Sequence, residues 1–339
     1  MEGKLVLGIE STAHTLGVGI AEGRNGKIFL RANAVEKVPH TRKGFVPRLL
    51  AEHHARVFKR AVWKALDAAG VSLSDFDGVA FSQGPGIGHA LRVGFVGARS
   101  LSDFLEISLL PVHHGIAHVE VGKWEAGLRD PLVLYVSGGN TQIMVLEGRH
   151  YRVLGETLDV GVGNFLDVLA REFGLNNAVE VMQHAEKGGN LLDFPYTIKG
   201  MNVSFTGLLT NCVRNFKPKV EKGKVSLEDV CFSAQETVFA ILTEATERAL
   251  LHSEKKEVLV CGGVACNTRL QEMLGIMCRE NGAKFGVASN QFNTDNGFMI
   301  ALVGLKMLGA ETKLPAASSL QPVQRMRPEA QEITWVKEF

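Results

Sequence analysis

An α/β chain of two duplicated lobes with mixed sheets is the fold class the sequence predicts. Three observations predict it: strand and helix patterns alternate along most of the chain, each half opens with an antiparallel hairpin, and the two hairpins share one plan. The first hairpin reads VLGIESTAHTLGVGIA and the second VLYVSGGNTQIMVLEG, each a strand, a small or polar turn and a strand, which is a duplication carried by pattern and not by residue identity. With 339 residues, 45% of them hydrophobic, and 37 glycines, the chain has material for a large buried core and for many sharp turns. A disulfide-stapled module and a disordered chain are both excluded.

Taken in order, Leu5–Ile20 gives an apolar run, a polar turn at Glu10–His14 and a second run ending Gly17-Val18-Gly19-Ile20, a glycine-assisted hairpin. Ile28–Ala34 is a third extended segment, and apolar residues at three- and four-residue spacing predict a helix over 46–69. A strand at 78–82, a glycine-rich loop at 84–88, a helix at 90–105 and a strand at 109–112 follow. The plan then restarts with strands at 132–137, 141–146 and 150–155 and a helix at 164–173. The stretch 176–204 reads as loop, 227–253 as a long helix, 258–261 and 284–287 as strands, with helices starting near Asn267 and Asp295. No low-complexity linker intervenes, so the expected lobes are 1–130 and 131–325, packed around a central cleft, with a tail at 326–339.

Charge and cysteines narrow the setting. With 37 Lys+Arg against 36 Asp+Glu, the chain has no global basic character, so an RNA substrate would need a local patch or a partner's surface. The opening run Leu5–Ile9 is broken at Glu10, too short for a signal segment, and no stretch reaches the roughly 18 apolar residues of a membrane span. A cytoplasmic protein without membrane partners is expected, nuclear as well if the source is eukaryotic. Cys212, Cys231, Cys261, Cys266 and Cys278 contain no C-x-x-C pair, which predicts buried thiols and no structural zinc ribbon.

Three turns sit where strands end, at 10–15, 135–141 and 262–267. Glycines there let phosphate oxygens approach backbone N–H groups, and a following helix N-terminus adds a favourable dipole, so the turns are candidate phosphate cradles as well as simple tight turns. A P-loop motif is absent, as is G-x-G-x-x-G after a strand. Asp167, on the helix after the second hairpin, reads from spacing as a solvated helix acid before a ribose contact. Asn267 reads as a helix cap before an adenine contact.

The segment PVHHGIAHVE puts His114 and His118 four residues apart, on one face of a helix and within reach of one ion. Such a pair is also compatible with packed core histidines. Gly115 follows His114, so H-E-x-x-H and its general base are missing and a zinc-protease reading weakens. Tyr135 and Asp295 are candidate further ligands, and two imidazoles with phenolate and carboxylate oxygens suit iron or zinc. His113 faces elsewhere and is a candidate for orienting the pair, whereas His53 and His54 lie on different helix faces and suit packing.

At this point nine segments together resemble a known family: GIESTAHTLGVGI, FSQGPGIGHALRVG, HHGIAHVE, YVSGGNTQ, GNFLDVLARE, PYTIKGMNVSFTG, FSAQETVFA, GGVACN and DNGFMIA. From Lys4 to Trp335 the chain is similar to the Kae1/TsaD/Qri7 family, once called O-sialoglycoprotein endopeptidases, and to its archaeal–eukaryotic Kae1 branch. The resemblance implies an actin-like (ASKHA, sugar kinase/Hsp70-type) ATPase fold. It implies transfer of the threonylcarbamoyl group from threonylcarbamoyl-AMP to N6 of adenosine 37 in ANN-decoding tRNAs, inside the KEOPS complex with Bud32-type kinase, Pcc1-type and Cgi121-type subunits. One divalent metal per subunit, iron or zinc, is implied, with threonylcarbamoyl-AMP or ATP as the bound nucleotide.

By the same resemblance His114, His118, Tyr135 and Asp295 match the metal ligands; Tyr135, Val136, Ser137, Gly138 and Gly139 match the segment that holds the adenylate; Asp167 and Asn267 match nucleoside contacts. No general base and no nucleophilic side chain is assigned, which suits direct attack by the adenosine amine on an activated mixed anhydride. One stretch departs from the pattern. Where the family carries a Gly and a Glu that contact the nucleoside, this chain has 176–183, NNAVEVMQ; the Gly has no counterpart, Met182 stands at the Glu position, and Glu180 fills it only with a two-residue shift. The second reading is therefore a catalytically weakened metal- and nucleotide-binding scaffold of the same complex. Gly44-Phe45-Val46-Pro47 looks more like the eukaryotic form of the family.

Overall fold

The computed structural model describes residues 3–38, 46–310 and 312–336, so Gly44 and Phe45 of the segment just named, and the last three residues of the tail, lie outside the described residues. The chain forms two compact units: one of 1–121, 147–151 and 294–339, the other of 122–146 and 152–293.

In the first unit β1 (Lys4–Glu10), β2 (Thr15–Arg24) and β3 (Lys27–Lys37) make an antiparallel meander. Helix α1 (Pro47–Ala69) starts with proline at its first turn, where no backbone donor is lost, and stops at Gly70, whose φ of 65° is the left-handed cap glycine favours. Its buried stripe of Leu50, His54, Val57, Ala61, Ala65 and Leu66 follows the three-to-four spacing seen in the sequence. Strand β4 (Gly78–Gly84), helix α2 (Gly88–Leu105) and strand β5 (Ser108–His113) complete a sheet ordered β3-β2-β1-β4-β5, with β4 and β5 parallel to β1. Helix α3 (His114–Ala126) follows β5 with no linker. Val57, Ala61 and Leu66 meet Leu7, Ile9, Leu16, Val18 and Ile20 in one core. Each such buried Val, Leu or Ile side chain contributes roughly 1.5–3 kcal/mol.

The second unit repeats the plan with β6 (Leu132–Val136), β7 (Thr141–Glu147) and β8 (His150–Glu156). Helices α4 (Val162–Glu172) and α5 (Ala178–Ala185), the two-residue pair β9 (Ile198–Lys199) and β10 (Asn202–Val203), and a broken helix of α6 (Thr206–Asn211), a π turn at Cys212–Phe216 and α7 (Lys217–Glu221) come next. Then α8 (Leu227–Ser253), β11 (Glu257–Cys261), α9 (Thr268–Glu280), β12 (Lys284–Val287) and α10 (Asn290–Asn293) close the unit, with sheet order β8-β7-β6-β11-β12. The two sheets thus share the order hairpin, parallel strand, parallel strand. The fold is actin-like α/β.

Two expectations are corrected. The stretch 176–204, read as loop, contains α5 and the β9–β10 pair. Its helical signal is short because only Val181 and Ala185 of α5 are buried, and its start is fixed by the Asn177 side chain, which accepts from Val179 N and Glu180 N. The second lobe also does not run to 325: residues 294–339 group with the first unit. The reason is α11 (Gly297–Gly309), which lies against β1 and β2 at backbone distance. A Cβ on Gly8 would stand 2.2 Å from Ala301 N, one on Gly17 2.5 Å from Gly297 N, and one on Gly19 2.1 Å from Phe298 N. Glycine is required there by contact, not by backbone angle.

Because backbone and not a movable side chain opposes Gly19, Gly19→Val is expected to destabilise the first unit by more than the roughly 1–3 kcal/mol of an ordinary overpacked core. Denaturant unfolding followed by circular dichroism measures it; a midpoint equal to wild type would contradict the backbone contact.

Candidate functional site

Strand β5 delivers His113 to the end of the first sheet, and α3 begins at the next residue. Ile116, Ala117, Val119 and Val121 are fully buried around α3, so its two histidines are held in the core and not displayed on a surface. His114 and His118, one turn apart, have ring centroids 4.7 Å apart at right angles. Asp295 enters from the other end of the chain: it precedes α11, whose first turn is capped by Asn296 accepting from Met299 N at 3.0 Å. Asp295 Oδ1 stands 3.3 Å from His118 Nε2 and 3.6 Å from His114 Nε2. Three of the four candidate ligands therefore meet within the first unit, with one ligand atom from each lying within 4.8 Å of the others.

His114 Nδ1 faces Glu10 Oε2 at 3.0 Å, so the carboxylate orients the ring and leaves Nε2 turned to Asp295. Glu10 is itself held: its Oε1 accepts from Thr12 N at 2.6 Å and from the Thr12 hydroxyl. Burial alone would push the His114 imidazole down, but the charge and hydrogen bond of Glu10 and the charge of Asp295 overcome it and raise it to about 9. Burial lowers His118, and Asp295 offsets this only in part. For Asp295, burial opposes the charged form, yet the His118 hydrogen bond and the two imidazoles hold its carboxyl well below the usual carboxylate range. Two buried imidazoles and a half-buried carboxylate, with a second carboxylate behind one imidazole, fit a borderline divalent ion such as zinc or iron(II), whose ligand bonds of about 2.0–2.2 Å match this spacing.

The turn 10–15 is consequently not an open phosphate cradle. Ser11 N donates to Ser82 Oγ at 3.0 Å and Thr12 N to Glu10, so both amides are engaged, and an acidic side chain fills the turn. The sequence reading missed Glu10 as a histidine partner; its place in GIEST, next to a small polar turn, was the available signal.

The other candidates lie in the second unit. Tyr135 is buried at the end of β6, one residue before Val136. In the turn after it, Ser137 N donates to Asn140 O at 2.8 Å, and the carbonyls of Ser137 and Gly138 accept from Gly163 N and Asn164 N at the start of α4. A Cβ on Gly163 would stand 2.8 Å from Gly138 Cα, so the helix start packs directly under the turn. Gly138 and Gly139 are exposed, and a Cβ on Gly139 would meet nothing within 4 Å, so ligand atoms can approach that side of the turn. The 262–267 turn closes on the same strand end: Gly262 has φ 96°, and a Cβ there would stand 2.4 Å from Val136 O.

Asn267 is a helix cap, as its position suggested: its Oδ1 accepts from Arg269 N and Leu270 N, and its Nδ2 donates to Gln235 Oε1 at 3.0 Å. Asp167 is half-buried on α4 and its Oδ1 accepts from Ala178 N at 2.9 Å, supporting the start of α5. It is no free surface acid. Glu180 folds back on its own turn, accepting from Asn176 N at 2.8 Å and from the Asn176 side chain. Met182 packs against the core of this unit.

A sequence profile of the tRNA N6-adenosine threonylcarbamoyltransferase family, TsaD, matches residues 30–302. The chain belongs to this family. It is 45% identical over 333 residues to the Thermococcus kodakarensis protein called tRNA N6-adenosine threonylcarbamoyltransferase, covering 98% of this chain and 99% of that one. To the protein of the same name from Danio rerio it is 41% identical over 337 residues, covering 98% and 99%. Among solved structures, HypF of T. kodakarensis superposes with a TM-score of 0.63 over 91% of this chain at 15% identity, a likeness of fold; the chain spans about half (48%) of that protein. Relatives from an archaeon and a fish agree with the branch expected from the motifs. Among the described residues, no helix is long and apolar enough to cross a membrane.

Two outcomes follow from this geometry. Glu10→Gln removes the charge behind His114 and is expected to lower zinc affinity about 10–100-fold, whereas His114→Ala and His118→Ala abolish stoichiometric metal; chelator competition and elemental analysis measure both, and equal metal content in the His variants would remove the site. Separately, Asp159 accepts from Ser204 Oγ, Phe205 N, Thr206 N and Val160 N, bonds that outweigh burial and hold its carboxyl well below the usual range. A depressed folded-state pKa stabilises above the ordinary carboxylate range and is lost as pH falls through and below it. Asp159→Asn is therefore expected to lower the thermal midpoint at pH 7 and to lower it less near pH 2, where the unfolded chain is already protonated at this position; equal differences at both would show that the charge is idle.

Proposed function

We propose that this chain is an N6-threonylcarbamoyladenosine synthase, which moves the threonylcarbamoyl group of threonylcarbamoyl-AMP to N6 of adenosine 37 in ANN-decoding tRNA. The observation that carries the reading is the cluster of buried His114 and His118 with half-buried Asp295, backed by Glu10, in a chain of this family. In this reading those three residues hold one zinc or iron ion, and a ligand role for Tyr135, in the second unit, rests on the family resemblance alone. The ion supplies Lewis-acid polarisation of the threonylcarbamoyl group, stabilising charge that develops on oxygen.

The chain's own groups do the rest. The exposed Gly138 and Gly139, in the turn that Val136 and Ser137 lead into, offer backbone amides to the adenylate phosphate, with no Cβ on either glycine to obstruct approach. Asp167 keeps one carboxylate oxygen beyond its bond to Ala178 N for a ribose hydroxyl. Asn267, whose Oδ1 caps α9 and whose Nδ2 bonds Gln235, keeps one Nδ2 hydrogen for the nucleoside. The adenosine N6 nitrogen attacks the carbonyl carbon, the bond from that carbon to the phosphate oxygen breaks, and AMP leaves with the bonding pair. The N6 proton passes to solvent or to the departing phosphate, since no side chain is assigned as general base.

The near-neutral charge of the chain supports a catalytic subunit whose RNA contacts come largely from partners, here the Bud32-type, Pcc1-type and Cgi121-type subunits of KEOPS. A cytoplasmic place, nuclear as well in a eukaryote, accompanies that reading. The scaffold alternative keeps one supporting observation: both Glu180 carboxylate oxygens accept from Asn176 and Met182 packs against the core, so the acid nearest the family's Glu position is already engaged within its own turn.

The deciding experiment is reconstitution with threonine, bicarbonate, ATP, an adenylate-forming enzyme, the partner subunits and an ANN-decoding tRNA, read by mass spectrometry of the nucleosides. Modified adenosine is expected with wild type, and His118→Ala is expected to lose more than about 100-fold, beyond the range of outer-shell losses. Absence of product from the complete wild-type mixture would overturn the transferase reading in favour of the scaffold.

A further inference from the structure

The last described stretch of the chain is fastened to α3 on both sides of the histidine pair. Ahead of it, the Gln331 side chain, 7% exposed, accepts from His113 N at 2.6 Å through Oε1, and its Nε2 reaches Met307 Sδ on α11 at 3.8 Å. The His113 ring caps α3: its Nδ1 accepts from Ile116 N at 3.2 Å, which places the ring proton on Nε2, where it is donated to Met326 O at 3.3 Å. Behind the pair, buried Glu120 accepts from Trp335 Nε1 at 3.0 Å and from Lys306 Nζ at 2.5 Å, with Tyr151 OH at 3.4 Å. Between these points Ile333, fully buried, donates from its backbone to Arg149 O at 2.8 Å. Upstream, Val323 N donates to Gln83 O at 2.7 Å, and a Cβ on Gly84 would stand 1.9 Å from Val323 O.

These bonds have a pattern that stability alone does not require. His113 immediately precedes His114, and Glu120 lies two residues beyond His118, so the strap holds both ends of the single helical turn that carries the imidazoles. All three anchors, Gln331, Met326 O and Trp335, come from one segment, and Gln331 also touches the helix that follows Asp295. We propose that residues 326–336 are a positioning strap for the metal centre, with Gln331 and Trp335 as positioning residues that set the direction and separation of His114 and His118. The proposal rests on the metal reading of that cluster. It assigns a role in the site to a segment that contributes no ligand. An imidazole free to rotate or shift by a few tenths of an ångström binds an ion less tightly, and supporting bonds of this kind typically matter 10–100-fold.

The test is cobalt(II) binding to the full chain, by chelator competition and by the visible d–d spectrum, with thermal unfolding of the metal-free protein alongside. Trp335→Phe keeps the ring and deletes the donor to Glu120; Gln331→Ala deletes the bond to His113 N; His113→Asn keeps a capping group for Ile116 N but cannot span to Met326 O. Each is expected to weaken cobalt binding about tenfold and to alter the d–d band, while the metal-free thermal midpoint of Trp335→Phe and His113→Asn stays near wild type. Gln331→Glu, which retains an acceptor for His113 N, is expected to recover most of the affinity lost in Gln331→Ala. Wild-type affinity and spectrum in all the variants would overturn the strap while leaving the metal site standing. A wild-type protein that takes up no cobalt would overturn the metal reading and the strap with it.

Discussion

The contact on which the first unit depends is the backbone-to-backbone approach of α11 to the glycine face of β1 and β2. Gly8, Gly17 and Gly19 leave three positions of that face without a side chain, and the helix comes so near that a Cβ at any of the three would stand 2.1–2.5 Å from a helix backbone nitrogen. Such proximity trades the burial of three side chains for a fixed helix position, because a backbone that touches a backbone has few alternative registers. Asp295 precedes this helix and Asn296 caps it, so fixing the helix also fixes the carboxylate against His118.

From that constraint the electrostatics of the cluster follow in order. Two imidazoles packed in the core would ordinarily be neutral, since burial disfavours the charged form. Carboxylates from two distant parts of the chain reverse this for His114 and leave it unreversed for His118. The asymmetry comes from Glu10, which sits behind one ring only. A buried carboxylate without such partners would be costly, and Thr12 satisfies its other oxygen. Tight turn chemistry at the end of β1, which reads as a place for phosphate, is in fact used to support an imidazole.

The second unit shows the same economy. The amides at the start of α4 are commonly available to a ligand, yet here those of Gly163 and Asn164 close on the 137–138 carbonyls and shape the turn. Asp167 and Asn267 likewise serve the fold first, as cap acceptors, whatever they contact besides. The stretch 176–183 was hard to read because its helix is short and shows only two buried positions, so tertiary packing and the Asn177 cap, not periodicity, make it helical.

Much of this protein is determined by sequence alone. The duplicated strand–turn–strand plan, the long amphipathic helices, the paired histidines at helical spacing and the ordered motifs are local patterns of period, turn chemistry and identity, and they suffice for the fold class and the family. What only the tertiary structure decided is who stands beside whom. That Glu10 serves His114, that Asp295 reaches His118, that residues beyond 293 return to the first unit and that Gln331 and Trp335 brace α3 are contacts between residues more than a hundred positions apart. Hydrophobic spacing says which face of an element is buried but not against what. Here the partner was selected by glycines whose missing side chains leave no periodic trace, and by single buried polar bonds that only the packed core brings within reach.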